Sequence, residues 1–84
     1  MIETSEIEIT FREDERHTEA RASLSIRGTT FVATGRAKRR LVDPKLPVIG
    51  EELAAARALS DLSHQLLEAA AETISVREGG SENP

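Results

Sequence analysis

Apolar and polar positions alternate three times in the first half of the chain and then settle into a helical spacing. From Glu6 to Phe11, Ile7, Ile9 and Phe11 fall on one face, with Glu6, Glu8 and Thr10 on the other. A period of two marks a strand half-buried against a core. The polar run Arg12-Glu13-Asp14-Glu15-Arg16-His17 then turns the chain. A second alternation places Ala20, Ala22, Leu24 and Ile26 on one side, and Glu19, Arg21, Ser23 and Ser25 on the other. Gly28-Thr29-Thr30 reads as a short hairpin loop. The third strand, Phe31 to about Lys38, admits two registers: Phe31, Ala33, Gly35 and Ala37 face the core, or Val32 and Thr34 do. The first is favoured, because small residues let a helix lie close.

The segment around Asp43-Pro44 and Leu46-Pro47 is expected to be a loop, since proline disfavours helix just before it. A long helix then starts near Gly50, with Glu51 and Glu52 in its first turn, where the helix dipole welcomes negative charge. At about 100° per residue, Ala55, Leu59, Leu62, Leu66, Ala69 and Ala70 form one stripe. Arg57, Asp61, His64, Gln65, Glu68 and Glu72 form the opposite, solvated face. Thr73, Ile74 and Val76 weaken the helix toward its end. The fold class is therefore α+β, in the order β-β-β-α. A three-stranded antiparallel meander carries one long C-terminal helix packed across one face, covering the apolar sides of all three strands. Residues 1–76 are expected to form a single domain and 77–84 a disordered tail.

Composition sharpens this picture. The chain has 84 residues, no cysteine, no tryptophan and no tyrosine. Disulfides and thiolate metal sites are thereby excluded, as are the side chains that bury most area. A domain this small buries a modest share of its surface, and self-association is a common remedy, so a homodimer is expected. Leu41, Val42, Leu46, Val48, Ile74 and Val76 lie outside the main alternation and are candidates for its interface. The acidic N-terminus lacks the apolar run of a signal peptide, and no window approaches a membrane span. A soluble, cytoplasmic protein is expected.

Net charge is −4, unevenly spread. Residues 27–45 hold six basic groups and one acidic, whereas 1–26 hold three and seven and 46–84 hold two and seven. The central band, Arg36, Lys38, Arg39, Arg40 and Lys45, is the candidate RNA- or ribosome-binding site, because phosphate recognition needs cations spaced along a surface. The competing reading is an edge strand charged to deter aggregation.

The run Pro47-x-Ile49-Gly50-x-Glu52-Leu53-Ala54-x-Ala56-Arg57-Ala58-Leu59-x-Asp61-Leu62, preceded by Gly35-x-Ala37, resembles a small actinobacterial family of unknown function. The resemblance covers residues 5 to 67. It implies a double-stranded-RNA-binding-domain-like fold and a structural comparison with ribosome hibernation-promoting factors. The chain departs from the family at Ser5 and Glu6, where an aromatic often stands, and at Ala33, commonly glycine. RNA-binding domains of that fold usually place lysines at the start of the last helix, where this chain has Glu51 and Glu52.

Asp61, Ser63 and His64 contain the letters of a catalytic triad, but neighbours on one helix diverge by about 100° and form no relay. His17 and His64 lack a surrounding ligand cluster, and Gly28 and Gly35 do not make a phosphate loop. No catalytic residue, metal site, cofactor or small-molecule substrate is expected. The favoured function is a non-catalytic stress- or dormancy-type accessory factor on the ribosome or structured RNA. The alternative is a homodimeric protein–protein interaction module whose acidic helix face meets a basic partner.

Overall fold

The computed structural model describes residues 1–38 and 47–82. Three strands, β1 (Ile7–Glu13), β2 (His17–Ile26) and β3 (Thr29–Lys38), form one antiparallel sheet in the order β1-β2-β3, followed by α1 (Pro47–Glu82). This is the α+β, β-β-β-α arrangement that the alternation predicts. No described helix is long and apolar enough to cross a membrane.

The β2–β3 hairpin turns on Arg27 and Gly28, at φ 47° and 83°, with Ile26 opposite Thr29. Two central residues with positive φ make the tight turn whose twist suits a two-residue hairpin. The expected loop at Gly28-Thr29-Thr30 therefore shifts back toward Arg27, and both threonines belong to β3. Thr30 shares a hydroxyl–hydroxyl hydrogen bond with Ser25 at 2.9 Å.

Small side chains build the core. Ala20, Ala22 and Leu24 of β2, Ala33 and Ala37 of β3, and Ala54, Ala58 and Leu62 of α1 are buried together. The register that faces Phe31, Ala33, Gly35 and Ala37 toward the helix is the observed one. Gly35 explains why: a Cβ there would collide with the Ala54 carbonyl and the Ala58 amide and come within 2.8 Å of the Arg57 Cβ. Helix backbone rests directly on strand backbone at this point.

That contact also rotates the helix away from the expected stripe. The buried spine is Gly50-Ala54-Ala58-Leu62, four residues apart, with Leu66 and Ala69 half-buried beyond it. Leu59 is 38% exposed, and Ala70 is exposed. The helix packs on β2 and β3 and leaves β1 largely uncovered, contrary to the expected cover of all three strands. Ile9 of β1 packs beside the core, but Ile7 and Phe11 stay 45% and 40% exposed.

The helix starts earlier and ends later than its expected bounds. Proline is tolerated in a first turn, where its missing N–H has no partner to lose, so Pro47 opens the helix. Glu51 and Glu52 consequently sit beyond the first turn, which holds no acidic residue. With no proline between Pro47 and Pro84, propagation carries the helix past Val76 to Glu82. Thirty-six residues span about 54 Å, against about 33 Å for a ten-residue strand, so the helix overhangs the sheet. The molecule measures 62 × 28 × 15 Å, and residues 70–77 are all exposed.

Candidate nucleic-acid interface

Apart from Val32, the face of the sheet opposite the helix is polar, and strand register decides which charges meet on it. Across the strands, Arg12 lies opposite Glu19 and Glu19 opposite Arg36; Thr10 lies opposite Arg21 and Arg21 opposite Thr34; His17 lies opposite Lys38. Arg12, Arg21, Arg36 and Lys38 thus share one face with only Glu8 and Glu19 as carboxylates in the same strands. Arg36 Nε donates to Glu19 Oε2 at 3.1 Å. Its side chain remains 68% exposed, so this pair orients the guanidinium more than it stabilises the fold.

Of the sequence-predicted site, Arg36 and Lys38 are side by side on this face, two residues apart on β3. Arg39, Arg40 and Lys45 lie outside the described residues. Arg12 and Arg21 were absent from the predicted band, because in sequence they stand among acidic neighbours. The parity of Arg12 with Glu8 and Thr10, and of Arg21 with Glu19 and Ser23, is a usable signal, but only strand register brings them beside Arg36.

Helix side chains clamp the outer edge of β3. Arg57 Nη1 donates to the Arg36 carbonyl, and Gln65 Nε2 donates to the Val32 carbonyl at 2.8 Å and to Asp61 Oδ2 at 3.1 Å. Gln65, expected on the solvated face, is therefore half-buried at the strand edge. His64 Nδ1 lies 3.0 Å from the Ser60 carbonyl, so Asp61 and His64 engage different partners. Among the described residues no cluster of three His, Asp or Glu side chains could hold a metal ion.

Where β1 turns into β2, Asp14 Oδ1 accepts from the Arg16 and His17 amides at 2.7 Å each, and the Asp14 amide donates to the His17 carbonyl at 3.0 Å. The Arg16 and His17 amides hold the Asp14 carboxyl below its ordinary value; slight desolvation opposes them, and the charges of His17 and Arg36 add to them. This turn fixes the end of the face at which Arg12, Arg36 and Lys38 collect.

Among the described residues, the one ring on this face is the His17 imidazole at its end. Both phenylalanines, Phe11 and Phe31, lie on the helix side. The face can bind anions by charge and by guanidinium hydrogen bonding, but a single imidazole makes a poor platform for stacking successive bases. The opposite layer is acidic: α1 holds Glu51, Glu52, Asp61, Glu68 and Glu72 against Arg57 and Arg77 over residues 47–77.

Comparison with known proteins gives consistent results. Residues 3–82 match the family described as Rv2632c-like. An uncharacterized protein of Mycobacterium tuberculosis, Rv2632c, is 43% identical over 63 residues, covering 75% of this chain and 68% of that one. The uncharacterized Mycobacterium bovis protein Mb1767 is 38% identical over 68 residues, covering 81% and 72%. The crystal structure of Rv2632c superposes with a TM-score of 0.75 at 38% identity, over 100% of this chain and 96% of that one.

Proposed function

The chain belongs to the Rv2632c-like family, and from that premise we propose that it is a non-catalytic accessory factor of the stress or dormancy type. It docks on structured RNA, the ribosome foremost, through the helix-free face of its sheet. The observation that carries this reading is the gathering of Arg12, Arg21, Arg36 and Lys38 on one surface by the pairing of three strands. Such a surface suits a phosphate backbone held in a folded RNA, where affinity comes from neutralised phosphates and released counterions. The lack of Phe, Tyr or Trp on it disfavours splayed single strands. Sheet rather than helix is the contact, since the helix that a double-stranded-RNA-binding domain would present carries Glu51 and Glu52 near its start.

The net charge of −4 does not oppose this arrangement. Of the fifteen acidic groups seven lie in the helix, and of the seven in residues 1–26 only Glu8 and Glu19 are strand residues of this face. Charges beyond about 8 Å are screened at physiological salt.

The test is co-sedimentation with purified ribosomes over a series of salt concentrations. If about three phosphates are neutralised per chain, each doubling of salt weakens binding about sixfold. Arg21→Gln/Arg36→Gln/Lys38→Gln should abolish pelleting while leaving the circular dichroism spectrum intact. Absence of wild-type pelleting at the lowest salt would sink the reading.

A further inference from the structure

The two edges of this sheet differ in a way that points to a partner. On β3 the outward carbonyls of Val32 and Arg36 are occupied by Gln65 and Arg57. On β1 no described element pairs with or packs along the outer edge. Hydrogen bonding alternates along an antiparallel ladder, so outward carbonyls at Val32 and Arg36 set the parity for the whole sheet. Phe31, Ala33, Gly35 and Ala37 bond to Leu24, Ala22, Ala20 and Thr18, and β2 turns its odd-numbered residues to β1. Glu8, Thr10 and Arg12 therefore bond inward, and Ile7, Ile9, Phe11 and Glu13 direct their amides and carbonyls off the free edge.

The β1 sequence, Ile-Glu-Ile-Thr-Phe-Arg-Glu, is complementary to itself when reversed about Thr10. Glu8 then stands opposite Arg12, Ile9 opposite Phe11, and Thr10 opposite Thr10 of the second copy. We propose that two copies of this chain join by antiparallel pairing of their β1 edges about a two-fold axis at Thr10, making one six-stranded sheet.

Three independent features select this register. The outward-bonding residues meet one another, Ile9 with Phe11 and Ile7 with Glu13, so each such pair exchanges two hydrogen bonds. The opposite charges of Glu8 and Arg12 meet twice on the helix-free face, and the apolar Ile9–Phe11 pairs meet twice on the helix side. A slip of one residue would oppose inward-bonding to outward-bonding groups and mismatch the faces. A slip of two would set Glu8 against Thr10 or against the carboxylate of Asp14.

The pairing also covers what the helix leaves open. Ile7 and Phe11 of each copy become part of one apolar trough between two helices. Arg21, Arg36 and Lys38 of both copies then lie on one continuous surface, although the association needs no nucleic acid.

Sedimentation velocity on the full chain, without RNA, from micromolar to submillimolar concentration, tests the interface. The 9.2 kDa chain should sediment as a dimer. Glu8→Arg and Arg12→Glu should each raise the dissociation constant about tenfold or more, since either places like charges opposite one another twice. Combining them restores the opposite-charge pairs and should return the dimer. Thr10→Cys provides a second reading. A non-hydrogen-bonded pair brings its Cα atoms to about 4.5 Å, within disulfide reach. The chain has no cysteine of its own, so oxidation of this variant should yield a covalent dimer. Thr34→Cys, on the clamped strand, should give no covalent dimer under the same oxidation. A monomer at every concentration would overturn the proposal. So would a dimer indifferent to both charge reversals, or Thr34→Cys cross-linking as readily as Thr10→Cys.

Discussion

The β3 flank and the β1 flank of this sheet share an alternating pattern, yet only one lies under the helix. β3 offers Ala33, Gly35 and Ala37 to the helix, and all three are buried. β1 offers Ile7, Ile9 and Phe11 on the same face, and two of these are among the exposed large hydrophobics. The larger apolar residues are therefore the less buried. A helix with a spine of Gly50, Ala54 and Ala58 gains most from a strand that lets its backbone approach, because close packing multiplies weak contacts. Close backbone approach, rather than side-chain hydrophobicity, decides where the helix lands. The flank it leaves carries the larger side chains and the open edge.

The strongest way to break this contrast is at Gly35. Gly35→Ala puts a Cβ against helix backbone, which cannot rotate aside as a side chain can. Urea unfolding should show a loss of about 3 kcal/mol. If the variant were as stable as wild type, the close approach would not be what seats the helix.

A smaller contrast comes from truncating one apolar residue on each flank. Leu62, 2% exposed, should cost about 2–4 kcal/mol when changed to alanine. Phe11→Ala should cost less than Leu62→Ala when both are measured at concentrations where the chain is monomeric, although phenylalanine is the larger side chain. At concentrations where dimers form, the Phe11 variant should also lose apparent stability by mass action. Equal costs in the monomer would show that β1 is covered after all.

The smallest effect is expected at the turn that joins the two regions. Asp14 is an exposed carboxyl held below its ordinary value of 3.8 by the Arg16 and His17 amides. A carboxyl depressed in the folded state stabilises the fold above its unfolded value and loses that contribution as pH falls through the folded value. Thermal melts should thus show wild type declining faster than Asp14→Asn below the ordinary carboxylate range. Parallel melting curves would show that the turn bonds are equally formed with a neutral side chain.

Much of this architecture was legible in the alternation itself. The three strands, their order and the helix after them follow from periods of two and of 3.6. The inward register of β3 was readable too, because only that choice lines up Ala33, Gly35 and Ala37. The rotation of the helix was not. Leu59 fits an apolar stripe as well as Ala58 does, and a helical wheel ranks leucine above alanine. The hairpin turn was misread because Arg27 is an uncommon residue at positive φ, and nothing about arginine announces it.

The candidate binding face divides in the same manner. Arg36 and Lys38 stood out as part of a basic run, whereas Arg12 and Arg21 were hidden among glutamates. A local count of charge averages over both faces of a strand; the folded sheet separates them. By itself the sequence determined the element types, their pairing order and the self-complementary form of β1, all set by local periodicity. Only the tertiary structure decided which flank the helix covers, which carbonyls Arg57 and Gln65 occupy, and which four cations share a surface. Those depend on backbone proximity and strand register between residues far apart in the chain, which no local pattern specifies.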